Sequence, residues 1–199
     1  MQSAASRRPR LAYFFALMGV GLAMIAAPHR AQAGVLDEVW AGGFAHDVSD
    51  LDHGKESGSG DVQIEVDSVR PGFLRILGAP RLNATLSLNS AGLTNFGSVG
   101  LTWDHRLLGP IYGSLDLGFG LNDGVANAPT GPRGDYELNH RLIVGSKVLF
   151  REAAGLDWRF AGRWSVGAEF VHLSNGLILT HHYNQGINDV GLRLGYRFR

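Results

Sequence analysis

The chain contains no cysteine among its 199 residues, which excludes a disulfide framework and a thiolate metal site. It has no surplus of either charge, with 18 Lys and Arg against 18 Asp and Glu. No basic stripe is therefore available to recognise nucleic acid. Beyond residue 27 no apolar run approaches the ~20 residues that a membrane-spanning helix requires. Glycine, in contrast, is plentiful at 28 residues, and short runs of alternating polar and apolar residues recur between turn-rich stretches. That is the pattern of strands rather than helices.

Residues 1–33 have the make-up of an export signal. Arg7, Arg8 and Arg10 form a positive start, 11–27 is apolar, and Ala31-Gln32-Ala33 is a small-residue cleavage site before Gly34. About 17 apolar residues would just span a bilayer as an anchor, but Pro28 and the small-residue site favour removal. The expected organisation is a signal peptide at 1–33 and one domain at 34–199. Cleavage removes Arg7, Arg8, Arg10 and Arg30 and no acid, so the formal net charge falls from 0 to −4.

Eight alternating runs can be delimited at 36–47, 61–69, 81–90, 95–104, 110–122, 142–160, 163–174 and 188–198. Successive strand side chains point to opposite faces. In 81–90, Leu82, Leu86 and Leu88 thus oppose Asn83, Thr85 and Ser87. The first run puts Leu36, Trp40 and Phe44 together, and the sixth groups Val144, Val148 and Phe150 against Lys147 and Arg151. A soluble lipocalin-like barrel also has eight strands, with its apolar residues turned inward. Here the polar faces carry Glu65, Asp116, Lys147, Arg151, Asp157, Arg159, Glu169 and Arg193, charges that a closed interior can pair off. Trp40, Trp103, Trp158, Trp164, Tyr196 and Phe198 sit near run ends, as interfacial girdles do. An even number of strands in a closed ring leaves no unpaired backbone in lipid. The expected fold is an all-β, eight-stranded antiparallel transmembrane β-barrel, integral to a bacterial outer membrane.

With both termini periplasmic, the outer connections are 48–60, 91–94, 123–141 and 175–187. The inner ones are 70–80, 105–109 and 161–162. The seventh run then carries His172 and Ser174 to the outer rim on the face that also bears Trp164, Val166 and Phe170. The eighth run begins there with Asn188, on the face of Val190 and Leu192. Polar side chains facing lipid are costly and by default functional. A serine hydroxyl attacks an ester when a base takes its proton and donors hold the oxyanion. Residues i and i+2 on a strand are ~6.5–7 Å apart and project in parallel, so His172 can serve Ser174. Asn188 can hold the imidazole in its tautomer, and Asn175 with the backbone around Gly176 can supply oxyanion donors.

The segment F-V-H-L-S-N-G, followed by N-Q-G-I-N-D-V-G-L-R-L-G-Y-R-F, resembles the lipid A 3-O-deacylase family of outer-membrane barrels. G-G-F-A-H-D-V, L-G-A-P-R and G-S-K-V-L-F-R-E are similar to further blocks of that family, so the resemblance covers most of 40–198. It implies an esterase without cofactor or metal, acting on lipopolysaccharide in the outer leaflet. His172 is then the general base, Ser174 the nucleophile, Asn175 part of the oxyanion hole, and Asn188 the third member. Two departures stand out. The connection after Ser174 is about two residues longer than usual. The third member is an amide where the best-known relatives carry a carboxylate. Asp189 is the alternative third member, but its parity is inward and it would need a β-bulge to reach the histidine. The outer-membrane phospholipase A family also uses His, Ser and Asn in an H-x-S-N-G setting, which makes phospholipid a rival substrate, although its barrel has more strands. A non-catalytic structural barrel is the remaining alternative.

His46, His53, His181 and His182 are scattered over the outer connections without paired carboxylate spacing, so no metal site is expected of them. His46-Asp47 ends the first run and reads as structural. The stretch 123–135, rich in Gly and Pro, reads as a mobile outer loop.

Overall fold

The computed structural model describes residues 35–48, 54–128, 130–180 and 183–199. The signal peptide expected at 1–33 lies outside them, as do His53, His181 and His182. The described residues form a closed barrel of eight antiparallel strands, each paired with its neighbours in sequence and the last with the first. The strands are β1 (Leu36–Ala45), β2 (Gly60–Ser68), β3 (Arg81–Asn89), β4 (Phe96–Leu108), β5 (Ile111–Asn122), β6 (Val148–Phe160), β7 (Trp164–Ser174) and β8 (Ile187–Arg197). The transmembrane barrel read from strand parity is the fold observed.

Parity decides what each face meets. In β3, Leu82, Leu86 and Leu88 are exposed on the outside while Asn83, Thr85 and Ser87 are buried within. The lumen is a network of ions. Arg193 reaches Glu169 at 2.6 Å and Asp157 at 3.0 Å, and Arg151 reaches Glu65 at 3.2 Å. Charge sealed from water is tolerated only when paired in this way. Trp164, Tyr196 and Phe198 stack edge to face at the inner rim, and Trp158 adjoins Phe160, as an interfacial girdle requires.

The first strand departs from the expectation. Trp40 and Phe44 point into the lumen, not to lipid, and are 5 % and 3 % exposed. Their space comes from glycines on β8: a Cβ on Gly195 would lie 2.6 Å from the Trp40 ring, and one on Gly191 2.3 Å from Phe44. Trp40 also stacks beneath the Arg193 guanidinium at 4.3 Å, a cation–π contact inside the barrel. A register shift between Leu36 and Glu38 puts Leu36 out of phase with both aromatics.

The sixth strand begins at Val148 rather than 142. Residues 142–144 instead turn at Gly145 (φ +77°) and lie across the outer mouth. Leu142, Ile143 and Val144 are buried there, Leu142 and Val144 in a cluster with Phe96, Leu149, Leu173 and Ile187. Lys147 is consequently no lumenal charge; it lies in the connection and donates to the Gly124 carbonyl. The connection read as a mobile loop contains helix α1 (Pro132–His140), opened by a proline at its first turn, where the missing N–H costs nothing. On the inner side, 70–80 holds a 3₁₀ turn, Gly72–Leu77, closed by Gly78 in the left-handed region.

Candidate active site

Strands β7 and β8 pair without a bulge, placing His172 opposite Asn188 and Val171 opposite Asp189. His172 and Ser174 alternate with the buried Val171 and Leu173, so both project to the outside of the barrel at its outer end. Asn188 projects from the same face, and its Oδ1 lies 2.7 Å from His172 Nδ1. A carboxamide oxygen can only accept, so Nδ1 is the donor in this contact, and in the neutral ring Nε2 is then the acceptor. The Ser174 hydroxyl has no hydrogen-bond partner among the described residues. The His172 ring sits against Gly186: a Cβ there would be 2.9 Å from His172 Cε1.

Asn175 is fully buried. Its Nδ2 donates to the Val144 carbonyl (2.8 Å) and to that of Tyr183, and its Oδ1 accepts from Leu177 N–H (2.8 Å). Its own N–H donates to Asn184 Oδ1 at 2.8 Å. The carboxamide is thus committed to stapling the turn after β7 onto the segment that caps the mouth. Gly176, with φ +62°, is exposed beside Ser174. Its N–H has no protein acceptor among the described residues, in contrast to the occupied Asn175 carboxamide.

Asp189 faces the lumen and accepts from Asp47 N–H (3.2 Å) and Gln63 Nε2 (3.3 Å). The bulge that would carry it to His172 does not form. It belongs instead to a sealed cluster around His46, whose Nδ1 lies 3.0 Å from Asp61 and 3.3 Å from Asp189 while Nε2 lies 3.2 Å from Glu56. Burial works against the imidazolium. The hydrogen bonds to Asp189, Asp61 and Glu56 outweigh it and push the His46 pKa up to about 12. Burial likewise opposes the Glu56 anion, but bonds from His46, Arg141 and Thr94 pull its pKa down to about 2. His46, Asp61 and Asp189 are of metal-ligating type and close together, yet the imidazolium already supplies their counter-charge. Arg151 and Arg193 do the same for Glu65, Asp116 and Glu169. The cluster reaches the outer rim through the backbone, since Val48 N–H donates to the Asn188 carbonyl at 2.7 Å. His46-Asp47 is thereby tied to the start of β8.

Below His172 an open groove of about 550 Å³ runs down the outside of the barrel. Trp103, Leu115, Leu117, Ala154 and Phe170 line it, together with Glu152. Glu152 was missed in the sequence. Its parity, shared with Val148, Phe150 and Leu156, was the signal that a carboxylate faces lipid.

Residues 135–197 match the family model "Lipid A 3-O-deacylase (PagL)". The matched span contains His172, Ser174, Asn175, Gly176 and Asn188, and it bears out the resemblance read from the sequence motifs. No curated protein matches the chain significantly. Among solved structures, the outer membrane enzyme PagL is similar with a TM-score of 0.54 at 17 % identity, covering 80 % of this chain and 98 % of that one. At this identity the likeness speaks for the fold. The designed barrel TMB2.3 aligns with a TM-score of 0.48 at 10 % identity, over 84 % of this chain and 98 % of that one. The Yersinia pestis outer membrane protein Ail, in a phospholipid bilayer nanodisc, aligns with 0.45 at 12 %, over 83 % and 100 %.

Proposed function

We propose that the protein is an outer-membrane esterase that releases the 3-O-linked acyl chain of lipid A, with Ser174 as nucleophile and His172 as base. The observation that carries this reading is the 2.7 Å contact between His172 Nδ1 and Asn188 Oδ1, on the same lipid-facing side as Ser174. It leaves Nε2 free to take the serine proton. The family match over 135–197 supports the substrate class.

Ser174 Oγ attacks the ester carbonyl carbon as its proton passes to His172 Nε2. The carbonyl oxygen becomes an oxyanion held by Gly176 N–H. The sugar 3-oxygen then leaves, taking the proton from Nε2, and the acyl chain remains on Ser174. Water, deprotonated by the same imidazole, cleaves this acyl-serine and releases the fatty acid. The apolar groove below His172 receives the chain while the headgroup stays at the rim. Asn188 holds the tautomer but carries no charge.

The reading is tested by expressing the protein in a host that lacks the activity and weighing its lipid A. Loss of one 3-hydroxyacyl mass, absent with Ser174→Ala, is expected. Unchanged lipid A with the barrel folded in the outer membrane counts against it. Phospholipid turnover in the same cells would favour the phospholipase reading.

A further inference from the structure

The rim bears a second ionisable side chain beside His172. In β6, Glu152 is the direct cross-strand partner of His172. Its side chain is exposed on the lipid-facing side, between the buried Arg151 and Ala153. Among the described residues it has no hydrogen-bond or ion-pair partner. A lone carboxylate on the lipid face of a barrel is destabilising, and an intramembrane ionisable group calls for a partner.

We propose that Glu152 is a positioning residue that supplies the negative charge His172 needs when it becomes an imidazolium. The proposal rests on the esterase reading above. Directly opposed residues on antiparallel strands have Cβ atoms ~4.5–5.5 Å apart, well within reach of a glutamate side chain. Both residues line the same groove. The groups around the imidazole leave the role otherwise unfilled. On the lipid face, β8 presents Asn188 and Val190, β7 presents Phe170 and Ser174, and β5 presents Leu115 and Leu117. Asp116, Glu169 and Asp189 are inside the barrel, each engaged there. Asn188 fixes the ring from one side through Nδ1, and Glu152 provides from the other side the charge that an amide lacks.

The test is a double-substitution cycle on the full-length barrel in detergent, read by the rate at which a fluorophosphonate labels Ser174. In that reaction the serine oxygen bonds to phosphorus, fluoride leaves, and the serine proton passes to His172, so lipid A is not involved. Glu152→Gln is expected to slow labelling roughly tenfold or more, and Glu152→Asp to recover most of the rate. In an Asn188→Asp background the imidazolium already has a carboxylate, and Glu152→Gln should then cost less than about threefold. An equal loss in both backgrounds, or no loss in either, would overturn the proposal, because a packing role is indifferent to the charge at 188. Labelling of Ser174 without lipid A hydrolysis would sink the substrate assignment while the cycle still decides on Glu152. Failure of the wild type to label at Ser174 would overturn both.

Discussion

His172 and Asn188 face each other across β7 and β8, with imidazole Nδ1 2.7 Å from carboxamide Oδ1 on the outside of the barrel. The amide orients the ring without offering it a charge, which separates two tasks that a carboxylate performs together. Asn188→Ala should therefore lower turnover, by roughly 10²-fold or more, with the barrel still folded. Asn188→Asp should retain or raise it, because the imidazolium gains a charged partner. Turnover on purified, heat-modifiable protein checks both.

Gly186 matters for space. Its Cβ would lie 2.9 Å from His172 Cε1 and 3.1 Å from the Leu173 carbonyl. The carbonyl is fixed in the sheet, so the imidazole has to give. Gly186→Ala should lower kcat by about tenfold or more, as small displacements of a catalytic group do. Heat-modifiability should be unchanged; full activity would show that the ring accommodates the methyl without leaving its working position.

The sealed cluster behind Asn188 predicts a pH dependence of stability. His46 has a folded pKa of about 12 against an ordinary 6.5, so its contribution is complete below pH 6.5 and is lost as pH rises towards 12. Glu56 is at about 2 against 4.5, so its contribution is complete above pH 4.5 and is lost as pH falls towards 2. Urea unfolding midpoints should accordingly be highest between about 4.5 and 6.5, and the alkaline decline should flatten in His46→Leu. A variant with the wild-type pH profile would show that the cluster does not carry it.

Asp189→Ala should act through the same cluster and not through the chemistry. It removes the acceptor for Asp47 N–H and Gln63, and breaking a buried charge cluster costs about 3–5 kcal/mol. The expected outcome is a lowered unfolding midpoint, with kcat of the folded fraction within about threefold of wild type. An inactive, fully stable Asp189→Ala beside an active Asn188→Ala would exchange the roles of the two residues.

Strand parity made the barrel and the outward direction of His172 and Ser174 legible, because a sealed face and a lipid face impose alternation along most of β2 to β8, although Leu149, Leu173 and Ile187 turn inward at the outer end. It failed at Trp40 and Phe44, whose inward direction depends on the space left by Gly191 and Gly195 some 150 residues later in the chain. Alternation also continued through Val144, although the positive φ of Gly145 turns that segment across the mouth. Asn175 stood out as a candidate in the motif, but its engagement with Val144 and Tyr183 arises from the packing of two outer connections. The place of Glu152 opposite His172 needed the register between β6 and β7, which composition and periodicity do not contain.

In the proposed mechanism Ser174 carries the acyl chain during turnover. Rapid quenching of the purified barrel with 3-O-acylated lipid A, followed by mass spectrometry of its peptides, tests this directly. A 3-hydroxyacyl mass is expected on the peptide containing Ser174, lost in Ser174→Ala and in His172→Ala together with fatty-acid release. Continued hydrolysis by Ser174→Ala, with no acyl mass at that position in the wild type, would contradict that mechanism.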